Sequence, residues 1–405
     1  MSTQPVSANQ QNGFPVLLFS SIGHLLNHVF IAFYFVIVLA LEVDWRLPYY
    51  ELIELWTLGA LMVGVAALPA GLLGDRIGAP AMMVMYFVGM GLCAIGAGSA
   101  GSTTALLLWL TGIGTFAAIY HPVCIPWLVR STTRAKGKAL AFNGIFGSLG
   151  GAAAGITAGW LIDISGWQAA FIVPGVICTA IGAVLQVCIW RGLVVDQDRE
   201  IDHNATEYPG RELLLVFGLL TVTMFLAGMI YYSTQTALPK LFALRHEGLA
   251  GSGTFGIGLL VAGVYAVAAI MQLIGGGLAD RYPLKYVYAG AIFIEIPLLV
   301  IAAESGGVVL LVVAMLMVSA NAAALPAENM LLARYTPEHR HGLAFGAKFV
   351  LAFGAGPLAV LLVSFVQGST GEFYWLFIAL SGFAVIAFVA ATLLPRSGAA
   401  VMHRI

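Results

Sequence analysis

Gly71-Leu72-Leu73-Gly74-Asp75-Arg76-Ile77-Gly78 separates two long apolar runs, and about 205 residues later Gly275-Gly276-Gly277-Leu278-Ala279-Asp280-Arg281 occupies the same kind of place. A membrane-edge turn written twice, half a chain apart, is the mark of a duplicated bundle. Other pairs keep the same order and nearly the same offset: Pro122 with Pro326, Arg130 with Arg334, and Leu140-Ala141-Phe142 with Leu343-Ala344-Phe345.

The composition says what surrounds the bundle. Of the residues, 60% are hydrophobic and only 9% charged, and the mean hydropathy of +0.95 lies far from that of water-soluble domains. A helix needs about 20 apolar residues to cross roughly 30 Å of hydrocarbon. Such stretches are read at 15–41, 50–73, 80–99, 103–129, 138–162, 168–190, 213–239, 254–278, 285–303, 307–332, 341–367 and 373–395. Backbone polar groups in lipid must be bonded internally, and long runs without strict alternation exclude a β-barrel. The expected fold is therefore all-α and integral to the membrane, with twelve transmembrane helices.

The polar stretch 192–212 carries Asp196, Asp198, Arg199, Glu200, Asp202 and Glu207 and lies midway, so it reads as a cytoplasmic linker between bundles 1–191 and 213–405. Each half holds an even number of helices, which makes them parallel repeats. Lys and Arg gather in alternate loops, and of the 18 basic residues only Arg46, Lys240, Arg245 and Lys348 lie elsewhere. The positive-inside rule then puts both termini in the cytoplasm, in a plasma (inner) membrane. Met1 to Gly13 lack a basic region and cleavage site, so helix 1 is expected to remain as an anchor. Cys93, Cys124, Cys178 and Cys188 fall within helices at unrelated spacings and read as packing residues.

Taken together, Gly71, Asp75, Arg76 and Gly78, with Asp280 and Arg281 repeating the turn, resemble the major facilitator superfamily across the whole chain. Ala79 and Pro80 stand where its signature has a basic pair. The resemblance implies that this loop is a conformational latch, its carboxylate set at a helix amino end and its Arg on carbonyls. Gly23-His24-Leu25-Leu26-Asn27-His28 and Tyr120-His121-Pro122 are similar to the fosmidomycin-resistance-like branch, which implies proton-driven secondary transport. Helix 5 has Gly150-Gly151 where superfamily antiporters carry a Gly-Pro signature, and Gly356-Pro357 lies on helix 11 instead.

Gly147, Gly151, Gly155 and Gly159 recur every four residues on helix 5, a smooth stripe against which another backbone can pack or slide. Charges at membrane depth are costly and mark cavities. His24 and His28, four apart, share a face of helix 1 near Asn27, and His121 sits between Tyr120 and Pro122 on helix 4. The resemblance implies that helices 1 and 4 line the central cavity. Histidine titrates near neutral pH, so three of them form a candidate proton or ligand site. In the second half, Glu328 and Lys348 lie at matching depth and form a candidate ion pair. Asn143, Tyr231 and Tyr232 complete the expected contacts. Glu54 and Glu295 are set aside, the first as solvated, the second because helix 9 is peripheral in the family.

No phosphate-binding loop of the glycine-lysine type is present, which argues against direct ATP drive. The leading expectation is a secondary active transporter that moves a small polar or amphipathic organic solute by alternating access, coupled to protons. A transition-metal or metal-chelate transporter using the histidines is the weaker alternative. A non-transporting sensor is a third. No convergent nucleophile and base point to an enzyme, and no cofactor or resident metal is expected. Expected partners are a small-molecule substrate, protons and membrane lipid, with no nucleic acid, for a monomeric chain.

Overall fold

In a computed structural model, the structure describes residues 13–132, 136–196, 211–245, 253–335 and 341–395. They form helices throughout: α1 (Gly13–Trp45), α2 (Tyr49–Val65 with Ala67–Ile77), α3 (Ala79–Gly98), α4 (Thr103–Ser131), α5 (Lys136–Ser165) and α6 (Trp167–Trp190). There follow α7 (Arg211–Arg245), α8 (Gly253–Arg281), α9 (Leu284–Glu304), α10 (Gly307–Arg334), α11 (His341–Thr370) and α12 (Tyr374–Leu393). Eleven are each long and apolar enough to cross a bilayer, and α2 makes a twelfth when its two segments, bent by 47°, count as one span. The expected twelve-helix membrane fold is the one observed.

Local sequence explains where the rods stop and turn. Pro80 occupies the first turn of α3, where a missing N–H costs nothing. Gly78 and Gly166, with φ of 89° and 85°, make the tight joints before α3 and α6 in a region that side chains rarely adopt. In α4, Pro122 cannot donate to the preceding turn, and residues Tyr120–Cys124 open into a π turn.

The chain divides into two compact units, one covering residues up to Glu200 together with Gly253–Ala262, the other Ile201–Ser252 and Gly263 onwards. In the first, α6 packs on α3, α5 on α1, and α4 on both α2 and α3. Its core is aromatic: Tyr34, Trp56, Tyr86, Phe87, Tyr120, Trp127 and Phe171 are almost wholly buried. In the second, α9 packs on α10 and α12, and α7 on α11 and α12.

The glycines of α5 mark close approaches. A Cβ at Gly150 would lie 2.3 Å from the Leu25 carbonyl oxygen, and one at Gly147 2.6 Å from the His24 ring. Further along, Gly155 meets Gly258 and Gly159 meets Thr254, both in the first turns of α8. Gly151 departs from the expected stripe. It is buried, yet a Cβ there would touch nothing within 4 Å, so the contact with α1 falls one residue earlier, on Gly150.

Candidate functional site

Three elements of the first unit converge on the histidines. α1 presents His24, Asn27 and His28, the π turn of α4 presents Tyr120 and His121, and α5 presents Asn143. The His24 ring lies 5.0 Å from that of His28 and 5.6 Å from that of His121, and His28 and His121 are 6.4 Å apart between ring centroids. All three rings are half-buried. The slight widening of the helix at the π turn matters here: it sets Tyr120 into the core while His121, the next residue, joins the other imidazoles.

Hydrogen bonds fix this cluster in place. His24 Nδ1 lies 2.8 Å from the Asn143 carbonyl oxygen. A carbonyl only accepts, so Nδ1 carries a proton, and in the neutral ring Nε2 is left as an acceptor. The Tyr120 ring stacks on His24 at 5.0 Å with planes 19° apart. Its hydroxyl donates to the Ser20 carbonyl at 2.9 Å and accepts from the Asn143 amide at 2.9 Å. Tyr86 Oη donates to the Gly23 carbonyl at 2.7 Å and pins α1 to α3 just before the first histidine. Asn27 is fully buried, and neither its amide nitrogen nor its oxygen has a partner among the described residues. A buried amide in that condition costs about 1–3 kcal/mol per unmet group.

One ring nitrogen from each of His24, His28 and His121 lies within 4.8 Å of the other two, and among the described residues this is the one group with metal-ligand spacing. It contains no carboxylate or thiol, and His24 already spends one nitrogen on Asn143. Such a set can relay protons, pair with hydroxyl or anionic groups, or ligate a cation, and an Nδ1–H held by a backbone carbonyl is compatible with each.

The other expected site residues lie in the second unit. Tyr231 lines a cleft with Thr234, Tyr265, Glu295 and Asn321, while Tyr232 packs on Met229, Ala355 and Ala359. Glu328 is buried and accepts from Tyr288 Oη at 2.8 Å. The expected Glu328 and Lys348 pair involves a side chain outside the described residues, since only the backbone of α11 is described at Lys348.

At the paired turns, Gly71, Asp75 and Arg76 belong to the last helical stretch of α2, and Asp280 and Arg281 to the end of α8. All four charged side chains are exposed. The carboxylate at the start of α3 is supplied by Asp196, which accepts from the Ala79 N–H at 3.0 Å and lies 3.9 Å from Arg130. Asp196 lies in the polar 192–212 stretch, where nothing in the sequence marks it for this contact.

Comparison with known proteins bears on this geometry. The family model of the Major Facilitator Superfamily matches residues 17–256 and 220–401. The chain belongs to that superfamily. As a member it is a multi-pass membrane transporter rather than an enzyme. A probable hexose phosphate transport protein of Chlamydia pneumoniae is 28% identical over 123 residues, which is 30% of this chain and 27% of that protein. The chain thus spans about a quarter of that relative's length. Among solved structures, a D-xylose-proton symporter superposes with a TM-score of 0.72 at 14% identity, covering 94% of this chain and 97% of that one. A bacterial homolog of the human lysosomal transporter Spinster, in an inward-facing and occupied conformation, gives 0.71 at 14% identity over 97% and 95%. At such identities these likenesses speak for the fold alone.

Proposed function

We propose that this superfamily member is a proton-coupled secondary transporter of a small polar organic solute, with His24, His28 and His121 as the shared proton and substrate site. The observation that carries this reading is the packing of three half-buried imidazoles, one oriented by Asn143, with a buried and unsatisfied Asn27 on the same helix as two of them. Neutral imidazoles offer a donor and an acceptor to a hydroxylated ligand, and a protonated one attracts an anionic group. Gaining and losing a proton therefore changes how the site holds its cargo. That is the coupling a symporter or antiporter needs.

The names of the relatives, a hexose phosphate carrier and a pentose-proton symporter, direct the first choice of solutes to sugars and sugar phosphates. The remaining parts of the reading are two six-helix halves joined by the 192–212 linker, with both termini cytoplasmic. The test is transport by purified protein in proteoliposomes. Counterflow with labelled sugars and sugar phosphates finds the solute, and an imposed pH gradient then drives its accumulation. His28→Gln is expected to keep counterflow and lose gradient-driven accumulation. Accumulation that ignores the pH gradient in the unmodified protein overturns the coupling.

A further inference from the structure

A second set of ionisable groups lies between α9 and α10. Tyr288 and Glu295 are seven residues apart on α9, and Asn321 and Glu328 are seven apart on α10, so each pair occupies one face of its helix. The helices pack on each other, and their polar residues meet in antiparallel order: Tyr288 with Glu328, and Glu295 with the Asn321 side chain. Two polar rungs thus cross one apolar seam, about 10 Å apart along it.

Glu295 is only 3% exposed and stands near the middle of α9. No ion pair forms to it among the described residues. Beside it lies a cleft with room for about one water molecule, walled by Tyr231, Thr234, Tyr265 and Asn321. The buried Tyr265 hydroxyl on this wall has no hydrogen-bond partner among the described residues. Such a space is too small for an organic solute and suits a proton with its carrier water.

We propose that Glu295 is a proton-binding site of the second unit, loaded and emptied through this cleft and separate from the histidines. Both of its states find partners. The carboxylate accepts from the Asn321 amide, and the carboxylic acid can donate to the Asn321 carbonyl oxygen or to a water in the cleft. A buried carboxyl served in both forms exchanges its proton with that water, and no bond to carbon changes. The titratable groups on its cleft are Tyr231 from α7 and Tyr265 from α8; Tyr288 on α9 interacts with it from the next rung, where Glu328 of α10 accepts from the Tyr288 hydroxyl. From α12 comes Ser381, which donates to the Ile296 carbonyl and does not titrate.

Dicyclohexylcarbodiimide, an apolar reagent that attacks protonated carboxyls, tests this on the full-length protein in proteoliposomes. Peptide mass spectrometry across a pH series is expected to find the adduct on the Glu295 peptide, falling about tenfold per pH unit above a midpoint. Glu295→Gln removes it. His28→Gln labels as the unmodified protein does, so failure of the histidine reading and failure of this one are told apart. The unmodified protein is itself the main sample, so the test does not depend on the variants folding. Labelling that is absent at every pH, or that does not vary with pH, overturns the proposal.

Discussion

Gly155 of α5 and Gly258 of α8 stand backbone to backbone: a Cβ on Gly258 would lie 2.1 Å from the Gly155 carbonyl oxygen, and one on Gly155 2.7 Å from that of Gly258. Neither position tolerates even a methyl group without movement of a main chain. Gly155→Leu is therefore expected to lower the melting temperature in detergent, with overpacking costing about 1–3 kcal/mol. Gly151→Ala, whose new methyl meets open space, is expected to melt as the unmodified protein does.

Asp163 holds the same helix start by another means. Its two carboxylate oxygens accept from the N–H groups of Thr254 at 3.0 Å and Phe255 at 2.9 Å, the donors that a helix leaves unmatched at its amino end. Asp163→Ala is expected to cost about 1 kcal/mol, the usual value of a lost cap, and Asp163→Asn less. These contacts are exposed, so added salt is expected to narrow the gap in thermal melts between the unmodified protein and the Asp163→Asn variant.

Removing one oxygen from the histidine cluster tests its bracing. Tyr120→Phe leaves the Ser20 carbonyl and the Asn143 amide without their shared hydroxyl. A loss of about 1–3 kcal/mol in detergent stability is expected. Transport is expected to fall, but less than His24→Asn causes, because the ring stacked on His24 loses the anchor that fixes it while the imidazole itself remains.

Glu372 gives stability a dependence on acid. Burial works to raise its carboxyl, but hydrogen bonds from Arg245 and from the Phe373 N–H, with the Arg245 charge, outweigh it and hold the group below its ordinary value. Arg245 Nη2 meets Glu372 Oε2 at 2.5 Å, and its Nη1 donates to the Ala303 carbonyl at 2.8 Å, near the end of α9. A depressed carboxyl stabilises the fold above the unfolded-state value and loses that contribution as pH falls through the folded one. Melting temperature is thus expected to decline below about pH 4.5, and Glu372→Gln to flatten that limb of the curve.

The architecture was readable because lipid allows so few solutions. Runs such as 285–303 and 307–332 recur almost unchanged as α9 and α10, since apolar length alone decides them. His24, His28 and His121 were likewise legible, because ionisable rings stand out in apolar helices. Their approach was not, since it depends on the π turn at Pro122 and on a carbonyl of α5 whose neighbours give no sign of it. Glu295 is inconspicuous in the sequence for a different reason. Its helix is peripheral in the family as a whole, but the seven-residue spacings of Tyr288 with Glu295 and of Asn321 with Glu328 contain the signal that both face one seam. Asp196 reached α3 from beyond the end of α6, a long-range pairing that no local pattern encodes.

The π turn of α4 has one more consequence. It takes up one residue more than an ordinary turn, so it works as a phase adjuster, rotating everything beyond it by about 100° relative to what precedes. Leu106, Leu110 and Ile113 before it and Trp127 and Leu128 after it can then all face inward on one rod. Shortening the segment Tyr120–Cys124 by a single residue would restore an unbroken spiral and swing Trp127 toward the lipid. A one-codon deletion there should be far more damaging than most substitutions along the same helix.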